Sequence, residues 1–141
     1  MKSTQAKFGF KHKSGILMAV SSLPSRYGIG SVGAPAFKFI DFLKECKQRI
    51  WQVLPLNPTA YGDSPYQSPC SFAGNPYFVD LDVLKKEFLL CEEDLKGAID
   101  NGDRVDYGKL FETRIPLLKR AYSKFSPTPK YTRFAEKNAD W

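Results

Sequence analysis

Two apolar runs of strand length, separated by one amphipathic helix, constrain the fold of this chain more than any other feature. The runs cover residues 16–23 and 50–56, and Pro24 ends the first of them. Between them, residues 36–48 place apolar side chains on a wide face and polar ones on one stripe, as in a helix packed on a sheet. A strand, a helix and a strand within about 40 residues predict a βαβ unit with two parallel strands.

The pattern turns helical after residue 80, and no third strand follows. Helices are predicted over residues 81–90, 92–99, 109–125 and 132–141, with Pro116 expected to kink or divide the third. A pair of parallel strands does not bury both of its faces by itself. The expected fold is therefore α/β and incomplete. It comprises a flexible basic leader (1–13), strands, helix and a loop (14–80), and a mainly helical region (81–141).

A polar loop follows the second strand, over residues 61–68, and is called the tyrosine loop here. It holds two tyrosines, one carboxylate, hydroxyls and an amide, and no Lys, Arg or His. Loops positioned by a rigid strand commonly carry chemistry. This inventory suits a neutral, hydroxyl-rich ligand better than a phosphate or a metal. Asp63 is expected to support the loop backbone as an Asx-turn rather than to act as an acid or base.

The charge distribution disfavours a nucleic-acid partner. The net charge is +6, but residues 1–14 contain four lysines and no acid, so the remainder is close to neutral. A nucleic-acid-binding protein usually concentrates Lys and Arg on the folded face that meets phosphate. The basic leader, which includes the only histidine, His12, is therefore expected to be solvated.

The cysteines and the apolar runs predict a cytoplasmic protein. Cys46, Cys70 and Cys91 are widely spaced, which predicts free and mostly buried thiols in a reducing compartment. The N-terminus lacks the apolar core of a signal peptide, and no run approaches the ~20 apolar residues of a membrane span. No membrane partner is expected.

Two further patterns are expected to be structural. Gly28, Gly30 and Gly33 have the G-x-G-x-x-G spacing of a dinucleotide site. However, four residues separate them from the strand, and no acidic residue ends the second strand, so no nucleotide cofactor is expected. Asp41 and Glu45 lie four apart on the polar stripe of the helix and are expected to face solvent.

A series of ordered motifs resembles the N-terminal part of the 4-α-glucanotransferases, also called amylomaltases or disproportionating enzymes, of glycoside hydrolase family 77. The resemblance is dense over residues 14–82 and weaker through residues 104–108 and the helix that contains Pro116. Its motifs are Ser14-Gly15-Ile16-Leu17, Ser22-Leu23-Pro24-Ser25, Tyr27-Gly28-Ile29-Gly30, Trp51 to Leu56, Pro58-Thr59, Tyr61 to Ser68 and Phe72 to Pro76.

The resemblance implies the first βαβ portion of a TIM barrel with helical insertions, in an enzyme that passes a segment of an α-1,4-glucan to a new sugar 4-hydroxyl. It implies that Tyr66 packs on the sugar at the cleavage point and that Ser64 contacts the glucan. Tyr61 and, more weakly, Tyr107 correspond to secondary glucan contacts. An aromatic face suits the C–H-rich face of a pyranose.

The same resemblance implies that the catalytic groups lie elsewhere. Retaining transfer needs two carboxylates about 5–5.5 Å apart. Asp63 is the one carboxylate between residues 57 and 79, and the family's catalytic carboxylates come from later barrel strands. The chain is therefore expected to be an N-terminal fragment, inactive alone, that needs the rest of the barrel. The alternative is a non-catalytic glucan-binding module derived from that family.

Two departures from the family pattern concern local stability. Lys47 stands where many relatives end a helix with glycine, which is costly if its φ is positive. Cys91 stands where Ser or Thr would cap the following helix. Trp51 is expected to be a core residue.

Overall fold

The predicted pair of parallel strands is present, in a shorter form. The structure is a computed structural model that describes residues 12–100 and 102–141, apart from the side chain of Tyr61, so most of the predicted leader lies outside it. Strand β1 (Gly15–Leu17) runs parallel to β2 (Ile50–Gln52). Helix α1 (Ala34–Glu45) joins the two strands. The βαβ order is therefore confirmed.

Both strands end earlier than the apolar runs predicted. Met18 N–H donates to the Gln52 carbonyl over 2.9 Å, and the chain then enters a 3-10 turn that Leu23 N–H closes on the Val20 carbonyl over 3.1 Å. Val20 and Leu23 are nevertheless buried. Each described strand has a single neighbour, so residues beyond the ladder bond locally instead. The apolar run is therefore buried only in part, at Val20 and Leu23, while the strand residues Ile16 and Leu17 are exposed.

The spaced glycines allow close packing of the loop that follows β1. A Cβ on Gly30 would lie 2.0 Å from the Val20 carbonyl oxygen, and one on Gly33 would lie 1.7 Å from Oδ2 of Asp80. Real Cβ atoms do not approach other atoms so closely, because packed interiors leave no such room. Glycine at these two positions therefore brings the loop against the β1 turn and a buried carboxylate.

Helix α1 ends with Lys47 in the left-handed conformation. Its φ is 58°, its N–H donates to the Lys44 carbonyl, and Gln48 N–H donates to the Leu43 carbonyl over 2.8 Å. These bonds form the helix-ending Schellman motif, in which glycine is the favoured residue. Lys47 therefore has the positive φ at which a residue other than glycine is costly. Asp41 and Glu45 are exposed, as predicted.

The region after residue 80 is helical, with several bounds moved. It contains α2 (Leu81–Lys86), α3 (Glu92–Leu95) with a 3-10 turn at Lys96–Ala98, α4 (Tyr107–Lys124) and α5 (Pro129–Lys137). Helix α2 ends early because Phe88 takes a positive φ of 60° in a second Schellman motif. Helix α4 runs unbroken through Pro116, so Pro116 does not divide it, and the alternative of a kink there stays a prediction.

Asp94 supplies the carboxylate half of a capping box at the start of α3. Three residues into the helix, it accepts from the backbone N–H of Cys91 over 2.9 Å and from its thiol over 3.2 Å. The bond satisfies the backbone N–H of the N-cap residue, which is a different donor from the one that a Ser or Thr cap hydroxyl would bind. Helix α5 starts earlier than predicted, because Thr128 Oγ1 accepts from Tyr131 N–H over 3.2 Å.

Two apolar clusters hold these elements together. The strand cluster contains Val20, Leu23 and Ala36, with Phe39, Trp51 and Phe78 packed against it. The helical cluster contains Tyr27, Leu81, Leu90, Leu95, Ala98, Leu117 and Ala121. Trp51 is half-buried, stands edge-on to Phe39 and donates Nε1–H to the Met18 carbonyl over 2.9 Å. Its expected core role is therefore confirmed in part. Tyr27 carries the loop after β1 into the helical cluster.

The cysteines are free, but their predicted burial is wrong. Cys46 and Cys91 are exposed, and Cys70 is half-buried. Both exposed thiols lie at helix ends, where the backbone faces solvent. Within residues 12–100 and 102–141, no helix combines the length and the apolar character that a membrane crossing requires.

Candidate functional site

The tyrosine loop stands on a hydrogen-bonded base in the segment after β2. Asn75 N–H donates to the Leu56 carbonyl over 2.8 Å, which closes the segment on itself. The Asn57 side chain donates to the carbonyls of Ser71 (2.9 Å) and Ala73 (3.1 Å). Asn75 is buried at this base. A base of this kind holds the loop while leaving its tip open.

Within the loop, backbone bonds and one serine shape the turn. Ala60 N–H donates to the Gln67 carbonyl (2.9 Å), and Gln67 N–H donates to the Ser64 carbonyl (3.1 Å). Ser64 Oγ accepts from Tyr66 N–H over 3.3 Å. No side-chain hydrogen bond of Asp63 appears among the described residues. The side-chain support of this turn therefore comes from Ser64, while Asp63 contributes a backbone at φ 53°.

Tyr66 projects from this turn into solvent. Its ring is 74% exposed, which rules out a core tyrosine. The hydrogen bond from its own N–H to Ser64 places the two predicted glucan-contact residues beside each other. Tyr61 opens the 3-10 turn Tyr61–Asp63, and its side chain lies outside the described part of the chain. An exposed aromatic ring on a restrained backbone can stack on a ligand with little loss of entropy.

Tyr107 reaches the same area from the helical region. As the first residue of α4, it stands edge-on to Tyr77, with ring centroids 6.0 Å apart. Burial raises the pKa of both phenols, and the nearby Asp63 carboxylate raises them further. The tyrosine loop, the segment after it and the start of α4 therefore meet around this ring pair.

An enclosed cavity of about 200 Å³ lies beneath the loop. Its walls come from the turn after β1 (Ser21, Ser22), from the end of β2 and its loop (Leu56, Pro65) and from Asn75 and Tyr107. Small-molecule pockets usually measure about 300–1,000 Å³. The described residues therefore form part of a cleft rather than a complete pocket.

The carboxylates next along the chain have other partners. Asp80 Oδ2 accepts from Ser31 Oγ (2.7 Å), and its Oδ1 accepts from Val83 N–H (3.0 Å) as the cap of α2. Asp82 Oδ1 accepts from Arg26 (2.7 Å) and from Tyr27 (2.8 Å). These groups hold the loop after β1 on the helices. In the residues that the structure describes, no group of three or more His, Cys, Asp and Glu side chains could hold a metal.

The Tyr27 phenol is strongly perturbed for a structural reason. Burial, followed by donation to the Asp82 carboxylate, raises its pKa to about 12. Hydrogen bonds from Tyr27 and Arg26 hold the pKa of Asp82 below its ordinary value, although burial opposes them. Both ionisation states are thus fixed at neutral pH. A group that does not change its charge there serves as a structural tie rather than as an acid or base.

Several residues that build the site were missed in the sequence. Asn57 and Asn75 close the loop, Tyr27 carries the preceding loop into the core, and Arg114 donates to the Val79 carbonyl. Helical periodicity could have identified Arg114, because it falls on the buried stripe of α4 that contains Leu110, Leu117 and Ala121. The contacts of Asn57 and Asn75 depend on how the loop folds back, which periodicity does not reveal.

The fold and this loop define a class of protein. A parallel βαβ unit followed by an exposed aromatic on a hydroxyl-rich loop is typical of α/β proteins that bind ligands at the carboxyl ends of their parallel strands. The model of the glycoside hydrolase family 77 4-alpha-glucanotransferases matches residues 18–141. The chain belongs to this family.

Similar proteins agree with this assignment. The chain is 48% identical over 136 residues to a 4-alpha-glucanotransferase of Streptococcus pneumoniae, covering 93% of this chain and 27% of that protein. It is 46% identical to one of Thermus thermophilus, covering 90% and 26%. The solved amylomaltase of Streptococcus agalactiae in complex with acarbose matches with a TM-score of 0.81 and 40% identity, covering 92% and 27%. The chain spans about a quarter of these relatives.

Proposed function

We propose that this chain forms the N-terminal segment of a 4-α-glucanotransferase that acts on α-1,4-glucan by retaining chemistry. In this proposal Tyr66 stacks on a glucose ring, Ser64 contacts the glucan and holds the turn, and Tyr61 and Tyr107 make secondary contacts. The observation that carries it is the 74% exposed Tyr66 ring on a loop anchored at a parallel strand end. Maltooligosaccharides are the expected ligands.

The proposal assigns the catalytic carboxylates to polypeptide outside this chain. A retaining pair stands about 5–5.5 Å apart. Asp80 and Asp82 are committed to structural bonds, which leaves Asp63 as a single carboxylate in the loop. β1 and β2 would be the first strands of a TIM barrel, with the tyrosine loop at its C-terminal face. The chain alone is then inactive and contributes one wall of the cleft.

Exposed apolar surface supports the need for a larger barrel. Leu17 on β1 is 60% exposed, and Phe37 and Phe42 on α1 are 65% and 55% exposed. In a barrel, neighbouring strands and helices would cover such residues. Uncovered apolar surface of this extent marks an interaction site or promotes aggregation. We expect the isolated chain to aggregate or to melt without a cooperative transition, measured by light scattering and calorimetry.

A chimera tests the function directly. The full chain replaces the matching quarter of the Streptococcus agalactiae amylomaltase, and conversion of maltotriose to glucose and longer maltooligosaccharides is measured. Activity is expected, because this segment would restore the missing wall. A folded but inactive chimera would contradict the proposed function. The binding-module alternative makes a different prediction: the isolated chain would be monodisperse, melt cooperatively and bind maltooligosaccharide.

A further inference from the structure

A buried charge in α4 lies against residues 75–80, the segment at the base of the tyrosine loop. Four polar or charged residues are buried in the described part of the chain, namely Ser31, Asn75, Asp80 and Arg114. Asn75 and Asp80 belong to the segment formed by residues 75–80. Ser31 and Arg114 donate hydrogen bonds to that segment. Buried polar groups concentrate at places where geometry must be specified. The 75–80 segment is such a place.

Hydrogen bonds tie the 75–80 segment to two other parts of the cleft. Asn75 N–H donates to the Leu56 carbonyl, which lies in the segment after β2. Val32 N–H donates to the Phe78 carbonyl over 2.9 Å, in the loop after β1. Asn75 therefore belongs both to this segment and to the base of the tyrosine loop.

Arg114 ties the same segment to α4. Its side chain is 1% exposed, and one terminal nitrogen donates to the Val79 carbonyl. Its Nε and Nη1 have no protein partner in the described residues. Burial lowers the pKa of the guanidinium to about 10, with the Asp80 charge opposing, so it stays ionised at neutral pH. A buried cation with unpaired donors is costly for stability, and an apolar residue would fill this stripe more favourably.

We propose that Arg114 is a positioning residue for the glucan wall: together with Asp80 it holds the 75–80 segment and thereby sets the geometry of the tyrosine loop. The helical region is then part of the binding apparatus, although it touches no sugar through this residue. Buried groups of opposite charge that add little stability can specify one arrangement. The effect on glucan rests on the proposed function, whereas the effect on the segment does not.

The test uses the chimera defined above and separates geometry from stability. Arg114→Met alone leaves the buried Asp80 without the opposing charge of Arg114, so the informative variant is Arg114→Met with Asp80→Asn, which removes both charges. We expect it to retain the melting temperature within a few degrees, while KM for maltotriose rises at least tenfold and kcat stays within threefold. Arg114→Lys should bring KM back to within threefold. Arg120→Met, which removes an exposed guanidinium from the same helix, is the matched control.

Amide hydrogen exchange in the chimera measures how firmly the 75–80 segment is held, and it requires no sugar. The double variant should accelerate exchange at the N–H groups of Asn75 and Val32 at least tenfold and leave Leu117 and Ala121 in α4 unchanged. Unchanged exchange at Asn75 and Val32, or equal acceleration throughout α4, would overturn the proposal. An unchanged KM in an active chimera would overturn it as well. If the chimera folds without activity, the proposed function fails, and the exchange result alone decides the role of Arg114.

Discussion

Truncation of Tyr66 should remove a measurable part of glucan binding. An aromatic side chain offers about 150–250 Å² of surface to burial. With 74% of the residue exposed, a pyranose stacked on one face would cover roughly 75 Å² that is now open, worth about 2 kcal/mol at ~25 cal/mol per Å². Because each ~1.4 kcal/mol is a factor of ten in rate, kcat/KM for Tyr66→Ala should fall roughly 20-fold.

The assay is maltotriose disproportionation by the chimera, with glucose release followed over a range of substrate concentrations. Tyr66→Phe is the matched variant, since it keeps the stacking face and removes only the hydroxyl. It should lose no more than about threefold. A Tyr66→Ala chimera whose kcat/KM stays within twofold of the parent would refute the stacking role, and equal losses in both variants would assign the effect to the hydroxyl.

The remaining predictions concern stability, and thermal or urea unfolding of the chimera measures each of them. Phe88→Gly should stabilise by about 0.5–1 kcal/mol, because it relieves a left-handed backbone at an 89% exposed side chain, whereas the neighbouring Glu87→Gly should destabilise. Gly33→Ala should cost about 1–3 kcal/mol, since its Cβ would meet a buried carboxylate, while Gly74→Ala in open space should be nearly neutral. Asp94 has its pKa lowered to about 2, chiefly by a backbone N–H donor. Its stabilisation should be complete above its ordinary pKa and disappear as pH falls from about 4 to 2, and Asp94→Asn should remove that dependence.

Much of the architecture was readable from periodicity. The βαβ order and the helical region after residue 80 followed from the spacing of apolar residues, and the structure confirms them. The strand ends did not, because the 16–23 run is buried partly in a 3-10 turn. An apolar run does not by itself distinguish a strand from a turn packed on the same core, and in this run Leu17 is exposed while Val20 and Leu23 are buried.

The candidate site was readable only in outline. The tyrosine loop stood out by its composition, and the contacts predicted for Tyr66, Ser64, Tyr61 and Tyr107 with glucan stay predictions. The supports of the loop were hidden, because Asn57, Asn75 and Arg114 act through backbone groups that are distant in sequence or set by the fold of the loop. The side-chain bond that was predicted for Asp63 as an Asx-turn is made instead by Ser64, whose Oγ accepts from the Tyr66 N–H.

The sequence by itself determined the parallel strand pair, the helical region and the loop chemistry, because side-chain periodicity and turn preferences act locally. Only the tertiary structure decided where those local pieces meet. It placed Tyr27 in the helical cluster, Asp80 beneath Gly33 and the Arg114 cation against the end of the tyrosine loop. Close packing and the pairing of buried charges depend on distance in space, which a linear pattern does not contain.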